Sequence, residues 1–499
     1  MTQISNDEIF KEILPRELLE ATYKAVSNFQ IRSFYEAKEE ILNCGKYSEK
    51  EFYDILDAMI DAETERKILM DRLKGQDPLF LTEIAELIND FPPINIVRDV
   101  IYLKEQGYID ELVEVKTKKV IKKIKGVEKE VEEKEYFYRY KLKKLEENFK
   151  ENFFQPVSII FESGVCCNCG WCSSICPINA INVNADDLEI DKNKCIKCGL
   201  CFSVCPRSFQ MSELWKAIGV LSKEINYSEK IGPYINAYTA TTTIEEIKKV
   251  RQDGGIATTI LEYLLKNNLV DAIIAVQHSK DLWKPEPVII EDVKDLYKTS
   301  GTKYANSPSL IAIEKAKNYD KIAVVGTPCM MKALVKGELF PSGFPFFNNI
   351  KYKIGLFCME AFSYDNIIKL VKDKFDRDIN ELTKMNIDKG KFIINLKSGE
   401  ELKIDLKEIQ PYARGNCHFC EDLTSEYADF SVGSIGSQSG YSSVITRTLE
   451  ADTIFQDMIS SGLVEAQNLK DVKPGLGIVQ RISVSKKKKC KTVELKKEN

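Results

Sequence analysis

Cys166-Cys167-Asn168-Cys169-Gly170-Trp171-Cys172-Ser173-Ser174-Ile175-Cys176-Pro177 is followed by Cys195-Ile196-Lys197-Cys198-Gly199-Leu200-Cys201-Phe202-Ser203-Val204-Cys205-Pro206. Both runs space their cysteines as C-x2-C-x2-C-x3-C-P. The close triplet lets one loop wrap three corners of a cubane, and the fourth cysteine reaches across to a neighbouring cluster. This spacing predicts two [4Fe–4S] clusters. One is held by Cys166, Cys169, Cys172 and Cys205, the other by Cys195, Cys198, Cys201 and Cys176. Each proline stops the helix begun in its run and turns the chain back. Ile178, Ala180, Ile181, Val183, Leu188 and Ile190 supply apolar cover that excludes water. Zinc is the alternative, but zinc ligands usually come as two close pairs, which two tandem four-cysteine runs do not match. Cys167 falls outside the pattern and reads as a bystander, or as a substitute for Cys166.

Residues 160–215 resemble the bacterial two-cluster ferredoxins. Such a module passes single electrons and does no bond chemistry, so the rest of the chain must supply that.

The whole chain has 499 residues, fifteen cysteines and a formal net charge of -5, with a pI near 5.6. Its length suggests three or four domains. Interspersed acids and bases argue against a dedicated nucleic-acid surface. The polar start, MTQISNDEIF, is not a secretory signal. No apolar run approaches the ~18 residues of a membrane helix. A cytoplasmic protein with reduced thiols, working without oxygen, is expected.

Amino-terminal to the cysteine runs, residues 1–75 read as helical, with Ile9, Ile13, Leu18, Leu19 and Phe52, Ile55, Leu56, Met59, Ile60 at helical spacing. Residues 76–150 read as a winged-helix-like docking domain. Two short helices flank Pro92-Pro93, and a hairpin from Leu112 to Lys125 turns near Gly126 and returns through Tyr136–Tyr140. Arg98, Asp99, Lys104 and Glu105 cancel on the second helix, and the acidic stretch Glu128–Glu135 offsets a basic wing. Protein docking is therefore preferred to DNA reading. Residues 143–156 read as a charged linker between this domain and a ferredoxin domain at 155–225.

Carboxy-terminal to the runs, the pattern over 226–480 is α/β. Apolar runs of strand length occur at 271–276, 321–326 and 352–357. In open parallel sheets ligands collect beyond the carboxyl ends of strands. Cys329 and Cys358 follow two such ends, and Cys417-His418-Phe419-Cys420 adds a close pair. Four thiols could thus hold a third [4Fe–4S] cluster; buried cysteines acting as small hydrophobes are the alternative. His418 is expected to face solvent or support the ligands. Three glycine-bearing stretches suit close backbone approach to a ligand: Asp253-Gly254-Gly255 to Thr258-Thr259, Ser300-Gly301-Thr302-Lys303-Tyr304, and Gly433-Ser434-Ile435-Gly436 to Gly440. The Lys-rich tail, 481–499, reads as solvated, and Cys44 and Cys490 have no assigned role.

With those stretches, Gly326-Thr327-Pro328-Cys329, Gly355-Leu356-Phe357-Cys358, Arg414-Gly415-Asn416-Cys417-His418-Phe419-Cys420 and Ala428–Gly436, residues 230–470 resemble the coenzyme F420 hydrogenase/dehydrogenase beta-subunit family. The resemblance implies a bound FAD, one [4Fe–4S] cluster, and oxidation or reduction of the deazaflavin F420. It places FAD against Gly254, Gly255, Thr258, Tyr304, Gly433, Ser434 and Gly436, with Lys303 as the cation on its diphosphate. Arg414 and Arg447 are candidates for a basic lip around the F420 tail; an ordinary ion-pair role is equally open to each. A ferredoxin segment ahead of this region is similar to the F420H2-oxidising input subunits of archaeal dehydrogenases. The implied partner is a redox enzyme of hydrogenase, formate dehydrogenase, formylmethanofuran dehydrogenase or membrane dehydrogenase type.

The expected architecture is thus multidomain α+β and α/β. The expected function is an FAD-dependent F420 oxidoreductase subunit wired through three clusters. Two rivals are a non-catalytic electron-wiring subunit and a redox-sensing winged-helix DNA-binding regulator.

Overall fold

A computed structural model describes residues 21–22, 24–25, 28–89, 91–105, 107–124, 127–143, 157–208, 211, 225–339 and 345–491. Ile9 to Leu19, nearly all of the 143–156 linker and residues 492–499 lie outside them. The chain divides into two units: residues 1–36, 56–153 and 211–218 form one, and residues 37–55, 154–210 and 219–499 the other.

In the first unit, helices Leu81–Leu87 and Pro93–Glu105 precede a long hairpin, β1 (Ile109–Ile124) and β2 (Val127–Leu142). Pro93 sits at the first helical position, where its missing N–H costs nothing. Apolar residues at helical spacing, among them Ile84, Ile88, Ile96, Val100 and Leu103, pack with Ile109 and Tyr140 into one core. Arg98 and Asp99 do not present themselves on a surface. They are 1% and 2% exposed, in an ionic network with Arg66 and Glu65. In the hairpin the register sets Lys116 opposite Glu135, Lys118 opposite Glu133, Lys119 opposite Glu132 and Lys123 opposite Glu128. The same register sets Lys122 opposite Lys129, so four of the five lysines of β1 stand opposite glutamate in the backbone register.

In the second unit, β3 (Ile181–Val183) and β4 (Leu188–Ile190) pair within the cysteine-rich segment. A small ladder, β5 (Asn226–Ser228) and β6 (Gly232–Tyr234), leads into the main sheet. That sheet takes β7 (Asn236–Thr242), β8 (Ala272–His278), β9 (Pro285–Ile290), β10 (Ile322–Gly326) and β11 (Ile350–Leu356). A separate meander of β12 (Leu382–Asp388), β13 (Lys391–Leu396) and β14 (Glu401–Asp405) intervenes, and β15 (Phe430–Gly433), β16 (Ser442–Thr446) and β17 (Val464–Asn468) then complete the sheet. Its order is β17-β7-β16-β15-β11-β10-β8-β9. The four central strands β8, β10, β11 and β15 are parallel, and the flanking pairs are antiparallel. β10 is buried along nearly all its length, as an apolar run without alternation requires. Ile256, Ile260, Leu264, Ile273, Ile354, Phe430 and Phe455 belong to the core around the sheet.

The predicted strands at 271–276, 321–326 and 352–357 therefore exist with ends moved by one or two residues. The order matters more. It brings His278, Thr327, Cys358 and Ser434, each at or within two residues of a parallel strand's end, to one edge of the sheet. The Lys-rich run departs from expectation. It is the last turn of helix Gly475–Lys489, and Lys486 is only 5% exposed. Among the described residues no helix is long and apolar enough to cross a membrane.

Candidate redox site

The two cysteine runs fold alike. Asn168 and Lys197 occupy the left-handed region at φ 49° and 57°, and Gly170 and Gly199 do so at 89° and 75°. Each glycine caps a one-turn helix, Trp171–Ile175 and Leu200–Ser203. A side chain at Gly170 would press on Ile311 at 2.5 Å, so glycine is required by space as well as by φ. The curled backbone turns amides onto sulfur: Asn168 N donates to Cys166 Sγ at 3.4 Å and Ala180 N to Cys176 Sγ at 3.2 Å.

Cys166, Cys169, Cys172 and Cys205, the first set predicted from spacing, line one cavity with Val157, Trp171, Val183 and Leu188. Cys176 and Cys195 lie close enough to Cys198 and Cys201 to disfavour the ionisation of both. Burial pushes Cys166 up to about 11 and Cys201 up to about 12. Thiols so placed become thiolates only beside a strong positive charge, which a coordinating metal supplies. Among the described residues no three Cys, His, Asp or Glu side chains close around a point as around a single ion. Zinc at about 2.3 Å from each sulfur would draw them much closer together than a cubane does. The donor set, its spacing and its apolar lining fit iron–sulfur clusters.

The third set gathers at the carboxyl edge of the parallel strands. Cys329 opens helix Pro328–Leu339 after β10, and Cys358 follows β11, its N–H donating to Leu423 O at 2.9 Å. Cys417 and Cys420 belong to the tight turn at Gly415–Phe419, where Ala361 N donates to Cys417 Sγ at 3.3 Å. Cys329 and Cys420 lie near enough to Cys358 and Cys417 to oppose the ionisation of both. Cys329 and Cys420 share a cavity with Arg207 and Lys332. His418 is exposed.

Side chains outside the recognised patterns join these centres. Arg414 donates to Cys167 O at 3.2 Å and to Asn168 Oδ1 at 2.5 Å. Asn416 Nδ2 donates to Cys166 O, and Arg207 to Phe419 O and Asn416 O. Cys167, read as a bystander, is buried with its thiol beside those of Cys169 and Cys329. It lies between the third set and the Cys166 set. Lys336, fully buried, donates to Cys205 O at 2.6 Å and Ser208 Oγ at 2.8 Å. Lys486 donates to Cys358 O at 2.6 Å and Asp422 O at 2.7 Å. Local pattern carries no sign of these lysines, since each reaches a backbone carbonyl over a hundred residues away.

The glycine stretches converge as well. Gly255 (φ 77°) caps helix Ile256–Lys266, and Gly254 N donates to Ser442 Oγ at 3.1 Å. Thr258 and Ser300 share a hydrogen bond of 3.2 Å, and Thr241 Oγ1 donates to Gly440 O at 2.9 Å. Tyr304 packs edge-on against Phe392. Several of these glycines serve internal packing. A Cβ at Gly254 would lie 2.4 Å from Ala240 O, at Gly433 2.3 Å from the Phe357 ring, and at Gly436 2.6 Å from Val479. Gly301 and Gly440 have nothing nearer than 4.0 Å.

The three candidate cations are not free on a lip. Lys303 Nζ donates to the carbonyls of Thr299, Ser300 and Gly301 at 2.5, 2.8 and 3.1 Å, and burial lowers it to about 8. Arg447 is 4% exposed and binds Ser431 Oγ, Ile231 O, Pro233 O, Thr424 O and Thr424 Oγ1. It is an internal hub, because five fixed donors match five acceptors on three separate segments of the chain. Arg414 serves the junction described above.

Comparison with known proteins accounts for most of this region. Residues 319–472 match the C terminus of the coenzyme F420 hydrogenase/dehydrogenase beta subunit, residues 237–314 its N-terminal part, and residues 188–209 a 4Fe-4S binding domain. The coenzyme F420 hydrogenase subunit beta of Methanothermobacter thermautotrophicus is 35% identical over 273 residues, 54% of this chain and 97% of that protein. An F(420)H(2) dehydrogenase subunit of Methanosarcina mazei is 31% identical over 349 residues, 66% of this chain and 92% of that protein. A chain of the xenon-derivatised F420-reducing [NiFe] hydrogenase complex from Methanosarcina barkeri superposes with a TM-score of 0.51 at 33% identity, covering 53% of this chain and 92% of that one. A relative covered almost end to end at this identity leaves one assignment: the chain belongs to the coenzyme F420 hydrogenase/dehydrogenase beta-subunit family, with a 4Fe-4S binding segment ahead of the family's own region.

Proposed function

We propose that this chain is an F420-linked oxidoreductase subunit that exchanges hydride with F420 and single electrons with a partner redox enzyme. Membership of the family supports the oxidoreductase reading, and the hydrogen-bonded junction between the third cysteine set and the Cys166 set carries the wiring. A deazaflavin transfers electrons in pairs and a cubane one at a time; bound FAD supplies the conversion between them.

The chain's own residues have definable parts. Gly254, Gly255, Thr258, Lys303, Tyr304, Gly433, Ser434 and Gly436 would form the FAD-binding region, with Gly254, Gly433 and Gly436 packing its backbone against the fold and Thr258 and Ser434 offering hydroxyls. Lys303 would exchange its carbonyl acceptors for a diphosphate. Cys329, Cys358, Cys417 and Cys420 would hold the first cluster of the relay, Cys166, Cys169, Cys172 and Cys205 the second, and Cys176, Cys195, Cys198 and Cys201 the last. Arg414, Asn416 and Arg207 fix the first two centres together, and burial excludes water between them. Arg447 has no part in F420 recognition, since its donors are committed inside the fold.

The helix–helix–hairpin within residues 76–150 is assigned as a winged-helix-like docking domain for the partner, packed in one core with helical residues before it. Buried Arg98 and Asp99, and a hairpin register that opposes lysine with glutamate, support protein docking over DNA reading. The relatives named above belong to hydrogenase and dehydrogenase systems, and a partner of that general kind is assigned here.

The test is anaerobic purification with iron and flavin counting, followed by reduction of F420 with an artificial donor. About twelve irons and one FAD are expected. Cys417→Ser should lose about four irons and uncouple flavin from the remaining clusters. Bound FAD without F420 turnover would favour the non-catalytic wiring subunit; about eight irons and no flavin would refute the catalytic reading.

A further inference from the structure

Lys46 lies far in sequence from either cysteine run, yet its side chain ends beside one of them. Its Nζ donates to Ser173 O and to Asn179 Oδ1, both at 3.0 Å, and pairs with Glu314 at 3.3 Å. These two acceptors bracket Cys176. Cys176 N donates to the same Ser173 O at 3.3 Å, and Asn179 N donates to Cys176 O at 3.4 Å. Neighbouring residues seal the contact. Tyr47 Oη donates to Ile175 O at 3.2 Å, Asn179 Nδ2 to Cys44 Sγ at 3.3 Å, and Lys317 Nζ to Lys46 O at 2.5 Å.

The lysine and its carboxylate are not equivalent. The Lys46 side chain is 2% exposed and that of Glu314 37%. Water therefore screens the carboxylate and leaves the ammonium acting through protein, where charges couple more strongly. At Cys176 the pair presents a net positive field.

We propose that Lys46 is a positioning residue that raises the reduction potential of the cluster held by Cys176, Cys195, Cys198 and Cys201, with Glu314 as the opposing charge. This rests on the wiring reading above. The step is one electron received from the neighbouring cluster and passed to the partner, with no bond formed or broken. Reduction adds one negative charge to the cluster, and a buried cation beside a ligand stabilises that form. The last cluster in the relay is thereby biased to draw electrons away from the flavin.

The test is an EPR-monitored redox titration of full-length, anaerobically purified holoprotein, with iron counted in every sample. The signal lost in Cys198→Ser identifies the cluster. Lys46→Met is expected to lower the reduced-to-oxidised ratio at fixed potential about tenfold, or about 59 mV for one electron. Glu314→Gln is expected to shift the midpoint the other way, and Lys46→Arg to leave it near wild type. A merely structural clasp would not give shifts of opposite sign. Unchanged midpoints, or shifts of one sign in both variants, overturn the assignment. Should Lys46→Met not fold, the half-exposed Glu314→Gln decides alone. A wild type lacking the cluster signal would instead overturn the wiring reading beneath it.

Discussion

Arg414 donates through Nη1 to the carbonyl oxygen of Cys167 at 3.2 Å, so the turn that carries Cys417 and Cys420 is fastened to the loop that carries Cys166 and Cys169. One guanidinium thus joins a ferredoxin-like module to the edge of a parallel sheet. Charge-assisted bonds of this kind are each worth about 1.5–3 kcal/mol. The Arg414→Ala variant should keep its iron while flavin-driven reduction of the ferredoxin-type clusters slows about tenfold, equivalent to about 1.4 kcal/mol. Stopped-flow absorbance on the anaerobic protein reads that rate directly. An unaltered rate would mean the two centres hold their spacing without Arg414.

Arg447 gives the opposite expectation from a substrate-binding arginine. Its removal in Arg447→Met leaves three carbonyls and two hydroxyls without their donor, at about 1–3 kcal/mol for each acceptor that water cannot reach. A drop of at least about 3 kcal/mol in stability is expected, visible as a lower thermal midpoint. F420 affinity of the folded fraction should be unaffected. Unchanged stability with weakened F420 binding would return Arg447 to the lip.

Gly433→Ala tests whether that glycine serves packing. Its new methyl would sit 2.3 Å from the Phe357 ring, one residue before Cys358, and overpacking of this sort costs about 1–3 kcal/mol. Both the thermal midpoint and the iron content of the third cluster should fall. Gly440→Ala, whose methyl meets nothing nearer than 4.0 Å, should differ little from wild type apart from its positive φ.

His278 sets a pH dependence of known sign. Burial, then the nearby Lys303 charge, lowers it from 6.5 to about 4. Between those values the unfolded chain binds a proton that the folded chain does not, so stability rises with pH across the window. The penalty is absent above about 6.5 and complete by about 4. Thermal midpoints measured from pH 4 to 7.5 should converge for wild type and His278→Gln at the upper end. The wild type should lose more towards the lower end. A constant gap across the range would contradict a protonation effect at this residue.

Local pattern carried much of this protein. Eight cysteines in two runs, three apolar segments of strand length, and the pairing of Ile109–Ile124 with Val127–Leu142 are features of neighbouring residues, where backbone geometry and side-chain period act directly on sequence. The set Cys166, Cys169, Cys172 and Cys205 was legible because one loop supplies three members and the spacing fixes the fourth. Strand-end positions and one close pair extended the reading to Cys329, Cys358, Cys417 and Cys420. What only the tertiary structure decided is which charged groups lie inside and what they touch. Arg447, Lys46, Lys336 and Lys486 are each at most 5% exposed, although nothing in their local sequence distinguishes them from solvated neighbours. A long cationic side chain is buried where acceptors from distant segments converge on it, and that convergence is set by how those segments pack together rather than by residues along the chain.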